Sequence, residues 1–130
     1  MPGLEDVSHV SLTVTDPERS AAFYNRVFGT ETLFSSSGGA FSLVVVARPG
    51  MMVALRDHPG MTDQGFDPRR VGLDHIAFQV PSRAELEAWY AVLAAEGVVC
   101  SPIEVSPFGL HLNLKDPDDI AIELFVSQPS

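Results

Sequence analysis

Two histidines and one glutamate are the residues of this sequence whose types suit a metal site. His9 stands in the segment SHVSLTV and His75 in DHIAFQV, 66 positions further along (9 to 75), and both segments alternate apolar residues. Glu123 lies between Ile122 and Leu124 in a predicted strand, where an uncompensated charge is costly to bury. Two neutral imidazoles and one carboxylate would bind a divalent ion and leave coordination positions open for water or substrate.

The same three residues also have a simpler structural interpretation. Histidines near the start of strands are common without any ligand role, and Glu123 would then face solvent at a sheet edge. The spacing alone leaves both interpretations open, because the boundaries of predicted strands are uncertain by several residues.

An internal duplication relates the two halves of the chain. Residues 41–55 (FSLVVVARPGMMVAL) match residues 110–124 (LHLNLKDPDDIAIEL) without a gap, 69 positions apart (55 to 124). Two copies of one unit should pack with approximate two-fold symmetry, which would bring the equivalent histidines towards a shared centre. In this alignment Glu123 corresponds to Ala54, so the symmetric ligand position carries only a methyl group.

Each copy is predicted to fold as β-α-β-β-β. In the first copy a strand over 7–14 precedes a helix that Asp16 caps, with proline at the first turn and Gly29 at the end. Further strands are predicted at about 31–36, 40–47 and 51–57. The helix is predicted to direct four apolar residues towards the core: Ala22, Phe23, Val27 and Phe28.

The second copy repeats this order. A strand over 73–80 precedes a helix that begins at Ser82, with Glu85 at capping-box spacing, and ends before Gly97. Strands are then predicted at about 98–104, 110–115 and 120–126. We therefore predict a single α+β domain over 1–130, made of a first module at about 5–57, a connecting loop at about 58–72 and a second module at about 73–127.

Composition narrows the class of partner. The formal charge of −9 disfavours nucleic acids and anionic membranes and favours cationic or neutral small molecules. The single cysteine, Cys100, rules out an internal disulfide and suits a reducing compartment. No basic leader and no apolar run long enough to cross a bilayer occurs, so we expect a soluble cytoplasmic protein.

Four segments together resemble the vicinal oxygen chelate superfamily, which includes glyoxalase I, extradiol dioxygenases and bleomycin-binding proteins. The resemblance covers nearly the whole chain. Its last segment, DPDDIAIELF, is similar to the Asp-Pro-Asp-Gly-x-x-x-Glu-Leu signature of the family, with Asp119 where glycine is usual. The four segments are the strand with His9, FYNRVFG (23–29), GLDHIAFQV (72–80) and DPDDIAIELF (116–125).

The resemblance implies paired βαβββ modules, a cup-shaped mixed sheet and a homodimer. It also implies one divalent ion, Fe, Mn, Zn, Ni or Mg, bound by His9, His75 and Glu123. On this basis the chain is expected to be a metal-dependent dioxygenase, lyase, isomerase or transferase that acts on a small oxygen-bearing substrate. The alternative is a non-catalytic protein, similar to bleomycin-resistance proteins, that sequesters a cationic drug or metabolite in a dimer groove.

Departures from the family pattern narrow these possibilities. Glyoxalase I and methylmalonyl-CoA epimerase use a fourth protein ligand where this chain has Ala54. Fosfomycin transferases hold a phosphonate with several basic side chains, whereas Lys115 is the only lysine here. Bleomycin-binding proteins typically lack the metal triad, so the three candidate ligands count against pure sequestration.

Residues that share strand faces with the candidate ligands are expected to line a substrate cavity. His111 shares a strand face with Asn113, and the family's geometry implies that this face looks into the cup. His111 is a candidate general base because the pKa of histidine lies near neutrality; a solvent-facing polar edge is the alternative. The other expected lining residues are Ser11, Thr13, Gln79, Met52 and Arg56, although Met52 also suits a simple core position.

Overall fold

The βαβββ order occurs twice in the protein, as predicted. A computed structural model describes residues 1–128. The first set of elements is β1 (Val10–Thr13), α1 (Pro17–Phe28), β2 (Glu31–Ser36), β3 (Leu43–Arg48) and β4 (Met51–Arg56). The second set is β5 (Ile76–Gln79), α2 (Arg83–Ala95), β6 (Glu104–Ser106), β7 (Gly109–Lys115) and β8 (Ala121–Ser127).

Each set forms its own four-stranded mixed sheet, which confirms the α+β class. The strand orders are β1-β4-β3-β2 and β5-β8-β7-β6, with β1 parallel to β4 and β5 parallel to β8. The chain divides into two compact units, residues 1–63 and 64 onwards. None of the helices in residues 1–128 is long and apolar enough to cross a membrane.

Helix α1 begins and ends where its capping residues predict. The Asp16 carboxylate accepts a hydrogen bond from the Arg19 backbone N–H at 3.2 Å, and Gly29 ends the helix with φ 69°. The predicted core face was correct for Val27 and Phe28, which are buried. It was wrong for Ala22, which is exposed, and for Phe23, which is only half-buried, whereas Tyr24 is buried. The buried residues of α1 are Pro17, Ser20, Ala21, Tyr24, Val27 and Phe28.

Helix α2 also begins at its predicted cap. The Ser82 hydroxyl accepts a hydrogen bond from the Glu85 backbone N–H at 3.2 Å. Helix α1 packs on β3 and β4, and α2 packs on β7 and β8. In each unit the strand residues beneath the helix are therefore buried: Leu12, Val44, Val46, Val53 and Leu55 in the first, and Leu112, Leu114, Ile122 and Leu124 in the second.

Four strand predictions differ from the structure. Strand β3 begins at Leu43, three residues after its predicted start at about 40. Strands β1 and β5 begin one residue after His9 and His75, because neither preceding segment has a partner in the strand register. The strand predicted at 98–104 is wrong for most of its length. Residues 98–103 form only one isolated bridge, between Cys100 and Leu114, and the strand itself occupies Glu104–Ser106.

The strand registers test the internal duplication residue by residue. Ser11 pairs with Ala54 in the first unit, and Ala77 pairs with Glu123 in the second, so the equivalence of Ala54 and Glu123 is confirmed. Val45 pairs with Ala54, whereas Asn113 pairs with Glu123, so the separation of β3 and β7 is 68 positions (45 to 113). The ungapped match was therefore wrong by one residue in that strand.

The β7–β8 turn explains the extra residue. Asp116 accepts a hydrogen bond from the Asp119 backbone N–H at 2.9 Å, and Asp119 has φ 63°. A type I turn followed by a left-handed residue forms a bulge that inserts one residue into the hairpin. The β3–β4 hairpin instead uses the two residues Pro49 and Gly50, with Gly50 at φ 81° as a type II turn requires.

Candidate metal and substrate site

The second unit carries a polar sheet face opposite its helix. Side chains alternate along each strand, so residues between the buried leucines and isoleucine point to the other side. We call this side the open face of the second unit. It includes the predicted residues His111, Asn113 and Glu123, together with Gln79 and Phe125, which the register places alongside them.

His75 and Glu123 form the central contact of this face. The His75 Nε2 atom lies 2.8 Å from Glu123 Oε2, and His75 Nδ1 lies 2.6 Å from Asp74 Oδ1. The Glu123 side chain is only 14% exposed, whereas that of His75 is 45% exposed. Both ring nitrogens of His75 therefore face a carboxylate.

This arrangement favours the protonated, positively charged form of His75. The pKa of His75 lies above its ordinary value, chiefly because its ring is hydrogen-bonded to Asp74. Partial burial opposes this shift, while the Glu123 carboxylate adds to it. A neutral imidazole has one N–H and can satisfy only one of the two carboxylates, so a proton or a cation must lie between Nε2 and Glu123.

His111 lies beside the same glutamate. Its Nε2 atom is 3.3 Å from Glu104 Oε2, and its Nδ1 atom is 3.8 Å from Glu123 Oε1. Nδ1 is buried and has no hydrogen-bond partner among the described residues. If Nε2–H donates to Glu104, the lone pair on Nδ1 is free to accept a proton, which is the property required of a general base.

Asn113 and Gln79 differ in whether their side-chain amides are free to bind a ligand. The Asn113 side chain is exposed and lies beside Glu123 in the register. Gln79 Oε1 accepts a hydrogen bond from the Ser127 hydroxyl at 2.9 Å, and its Nε2 donates to the Val80 carbonyl at 3.2 Å. Asn113 therefore keeps donors and an acceptor for a ligand, whereas Gln79 is held by its own unit.

His9 lies in the first unit and repeats one feature of His75. Its Nδ1 atom lies 2.9 Å from the hydroxyl of Ser8, the residue before it, as Asp74 is the residue before His75. In both cases the preceding side chain engages Nδ1 and leaves Nε2 as the nitrogen for a ligand. The role of His9 in a metal triad remains a prediction.

The remaining predicted residues all belong to the first unit. Ser11 and Thr13 are exposed on β1, on the side of the sheet opposite the buried Leu12. Met52 is 39% exposed on β4, so the core interpretation of this residue was wrong. Arg56 is half-buried at the end of the same strand.

Two residues of the site were not predicted. Asp74 was visible in the sequence as a carboxylate next to His75, which is the signal for an anchored imidazole. Glu104 had no such signal, because only the pairing of Glu104 with His111 places it on the open face.

The donor set suits a metal, although it is incomplete within the described part of the chain. No group of three or more histidine, cysteine, aspartate or glutamate side chains is arranged as a metal site in residues 1–128. The pair His75 Nε2 and Glu123 Oε2 provides one imidazole nitrogen and one carboxylate oxygen at close range. Such a pair fits two of the three ligands of an open site for Fe, Mn, Zn or Ni, and a Mg site less well because of its nitrogen.

Sequence comparison identifies relatives of the whole chain. The profile of the Glyoxalase/Bleomycin resistance protein/Dioxygenase superfamily matches residues 6–124. The crystal structure of a glyoxylase/bleomycin resistance protein/dioxygenase domain from Frankia sp. EAN1pec is 35% identical, with a TM-score of 0.87. The match covers 97% of this chain and all of that one.

Two more distant structures share the fold. One is a point mutant of the fosfomycin resistance protein FosX from Listeria monocytogenes, complexed with Mn(II) and 1S,2S-dihydroxypropylphosphonic acid, at 21% identity and a TM-score of 0.73. That match covers 97% of this chain and 95% of FosX. The other is TnmS3, an antibiotic binding protein from Streptomyces sp. CB03234, at 21% identity and a TM-score of 0.73, with 98% and 100% covered.

Proposed function

This chain belongs to the Glyoxalase/Bleomycin resistance protein/Dioxygenase superfamily, and we propose that within it the protein is a divalent-metal-dependent enzyme. His75 and Glu123 would hold the ion, with His9 as the third ligand. The substrate would be a small molecule that binds through oxygen atoms at the open positions. The reaction class is that of a dioxygenase, lyase, isomerase or transferase.

The contact between His75 and Glu123 is the observation that carries this proposal. An imidazole with a carboxylate on each nitrogen requires positive charge, and a divalent ion meets that requirement at Nε2 while Asp74 still accepts from Nδ1. Glu123 is largely buried on a strand between apolar neighbours, where a carboxylate needs such compensation.

The side chains of the open face have separate chemical roles in this proposal. When bound, the ion would polarise a substrate carbonyl and stabilise a developing oxyanion. His111 would act as the general base that takes a proton from the substrate, and Glu104, 3.3 Å from His111 Nε2, would stabilise the resulting imidazolium. Asn113 would donate a hydrogen bond to a substrate oxygen.

The more distant structures support the proposal of a metal site but do not identify a substrate. FosX was crystallised with Mn(II), which shows that this fold accommodates a divalent ion in that protein. A fosfomycin-type substrate remains disfavoured, because the chain has a single lysine. Ala54 offers no fourth ligand, which disfavours glyoxalase I and epimerase activities in the same way.

Elemental analysis of purified protein tests the proposal. The protein is loaded anaerobically with Fe(II), Mn(II), Ni(II) or Zn(II), desalted and analysed beside His75→Ala, Glu123→Ala and the control His58→Ala. We expect near-stoichiometric metal in the parent and the control, because His58 lies in the connecting loop. Both ligand variants should lose it.

The bound element then selects the assay. Iron would direct the search towards catechol-type dioxygenation, and the other ions towards isomerisation, elimination or group transfer. Equal metal content in all four proteins would show that retention is unspecific and would contradict the proposed site.

The alternative function is a non-catalytic binding protein. TnmS3 is an antibiotic binding protein of the same fold, and large apolar side chains such as Leu33, Phe34 and Phe108 are exposed in this chain. Failure to retain any of the four metals would favour this alternative. Glu123→Ala would then leave the affinity for a captured ligand unchanged.

A homodimer in the cytoplasm completes the proposal. Strand β2 is an edge of the first sheet, and its Leu33 and Phe34 are 61% and 53% exposed. Exposed apolar side chains on an edge strand favour association with a second chain. Sedimentation velocity of the parent and Phe34→Ser tests this, since the variant should shift towards monomer.

A further inference from the structure

Arg56 lies on the face of the first sheet that points away from α1, which we call the open face of the first unit. Its neighbours Val53 and Leu55 on β4 are 1% and 0% exposed beneath the helix, and alternation places Ala54 and Arg56 on the other side. In the register Arg56 stands between Thr13 of β1 and Leu43 of β3.

Arg56 differs from the other six arginines of the chain. Its Nε atom is buried and has no hydrogen-bond partner within residues 1–128. Its guanidinium carbon instead lies 3.9 Å from the centre of the Phe41 ring. The side chains of five other arginines donate hydrogen bonds, and Arg26 also has an interaction partner. The five are Arg19, Arg48, Arg69, Arg70 and Arg83.

The Phe41 ring lies against the Arg56 guanidinium and covers one side of it. A guanidinium presents its N–H donors in its own plane, where they match the two oxygens of a carboxylate or phosphoryl group. The adjacent carboxylate, Asp57, is occupied by the Ser42 backbone N–H at 2.6 Å. The nearest polar side chains on the same face are the exposed hydroxyls of Ser11 and Thr13, which can donate to the same anion.

A buried donor without a partner loses its hydrogen bonds to water and gains nothing in return, so a solitary structural role for Arg56 is unfavourable. We propose that Arg56 binds an anionic group of the substrate, a carboxylate, phosphate or phosphonate, with help from Ser11 and Thr13. The inference rests on the proposed function only in assigning this anion to the substrate. It also qualifies the expectation from the overall charge of −9, since Arg56 places a cationic side chain on this face.

An NMR titration tests the site without any metal. The Nε–Hε signal of Arg56, identified by its absence in Arg56→Gln, is followed in the parent during addition of inorganic phosphate or methylphosphonate at constant ionic strength, with EDTA present. We expect a saturable shift in the millimolar range. Both Arg56 variants lack this signal, so phosphate affinity is compared between proteins through the backbone amide signals of Ser11 and Thr13. It should fall about tenfold or more in Arg56→Gln and less in Arg56→Lys, which keeps the charge but loses the planar pair of donors.

Arg69→Gln is the matched control. It removes the same charge from an exposed arginine paired with Asp67, so it should leave phosphate affinity unchanged. An unmoved Arg56 signal, or equal losses in Arg56→Gln and Arg69→Gln, would overturn the inference. If Arg56→Gln fails to fold, the titration of the parent protein still decides the question, because the signal can be assigned with Arg56→Lys.

The experiments distinguish failure of the proposed metal site from failure of the proposed anion site. Phosphate binding at Arg56 without metal retention would leave an anion site and contradict the metal enzyme. Metal retention at His75 and Glu123 without a response of Arg56 would contradict the anion site and leave the proposed function in place.

Discussion

The open faces of the two units have the same strand pairing but carry different types of side chain. The register makes Leu43 equivalent to His111, and Val45 equivalent to Asn113. With the pair Ala54 and Glu123, three polar residues of the second unit correspond to apolar residues of the first. A duplicated sheet can therefore keep its strand pairing while one copy holds the candidate acid-base and ligand residues.

A substitution in the reverse direction also occurs. Arg56 of the first unit is equivalent to Phe125 of the second, because Arg56 pairs with Leu43 as Phe125 pairs with His111. The first unit therefore carries a cation where the second carries an aromatic ring.

Gly109→Ala should have the largest effect on stability of the variants considered, and this effect should be confined to the second sheet. Gly109 has φ 151°, and an added Cβ would collide with the Val126 carbonyl oxygen. We expect a loss of about 3 kcal/mol in the free energy of unfolding, or failure to fold. Urea denaturation measures it, and Gly39→Ala, with open space at its Cβ, is the control. Equal stability of the two variants would contradict a close approach of β8 to Gly109.

Glu123→Ala should make the second unit resemble the first at the ligand position. Loss of one of two close donors should weaken Zn(II) binding by about 100-fold or more, since a buried charge-assisted interaction is worth roughly 3 kcal/mol. Competition with a chromophoric chelator measures this affinity. Glu31→Ala removes an exposed strand glutamate of the first unit and should change nothing.

Asp74→Ser exchanges the anchor of His75 for the residue type that anchors His9. A hydroxyl orients the ring but increases its basicity less than a carboxylate, so Zn(II) affinity at pH 8 should fall about tenfold. The reciprocal Ser8→Asp should strengthen binding if His9 is a ligand. If neither variant changes Zn(II) affinity, the residues before the two histidines have no role in metal binding.

The pKa of His75 predicts how metal binding depends on pH. Because the pKa is raised, protons compete with the ion from above the ordinary histidine range downwards, and affinity should fall up to tenfold per pH unit below that pKa. In the metal-free protein, the stabilisation from protonated His75 is present below about pH 6.5 and is lost as the pH rises through the raised value. Asp74→Ser should move both transitions to lower pH, which histidine NMR titration would detect.

Asp119→Gly should have the smallest effect and make the second hairpin easier to form. Asp119 has φ 63°, which glycine adopts without steric cost, so we expect a gain of about 0.5 kcal/mol in the free energy of unfolding. Asp119→Asn should gain less, because asparagine tolerates the left-handed region only partly. Destabilisation by glycine would show that the Asp119 carboxylate has a role of its own.

Most of the fold is predictable from the sequence because its signals are local. Asp16, Gly29 and Ser82 cap their helices through contacts within a few residues, and these ends were predicted correctly. The failures lie where local signals are weak. Residues 98–103 were predicted as part of a strand, yet they form only one bridge, since strand formation needs a partner in register.

The candidate site was predicted in part for the same reason. His75, Glu123 and His111 were visible as residue types on alternating strand positions. Glu104 was not, because its place beside His111 depends on pairing between two strands. The one-residue shift between β3 and β7 also escaped the alignment, since the bulge at Asp119 is a property of backbone conformation.

The duplicated βαβββ order, the α+β class and the family all follow from the amino-acid sequence, because caps, turns and apolar alternation are written within short segments. Which side chains meet depends instead on the folded chain. Folding places carboxylates beside both nitrogens of His75 and leaves His111 Nδ1 buried without a hydrogen-bond partner among residues 1–128. It also brings the Arg56 guanidinium over the Phe41 ring. Most of these contacts join residues far apart in the chain, and strand register and packing fix them.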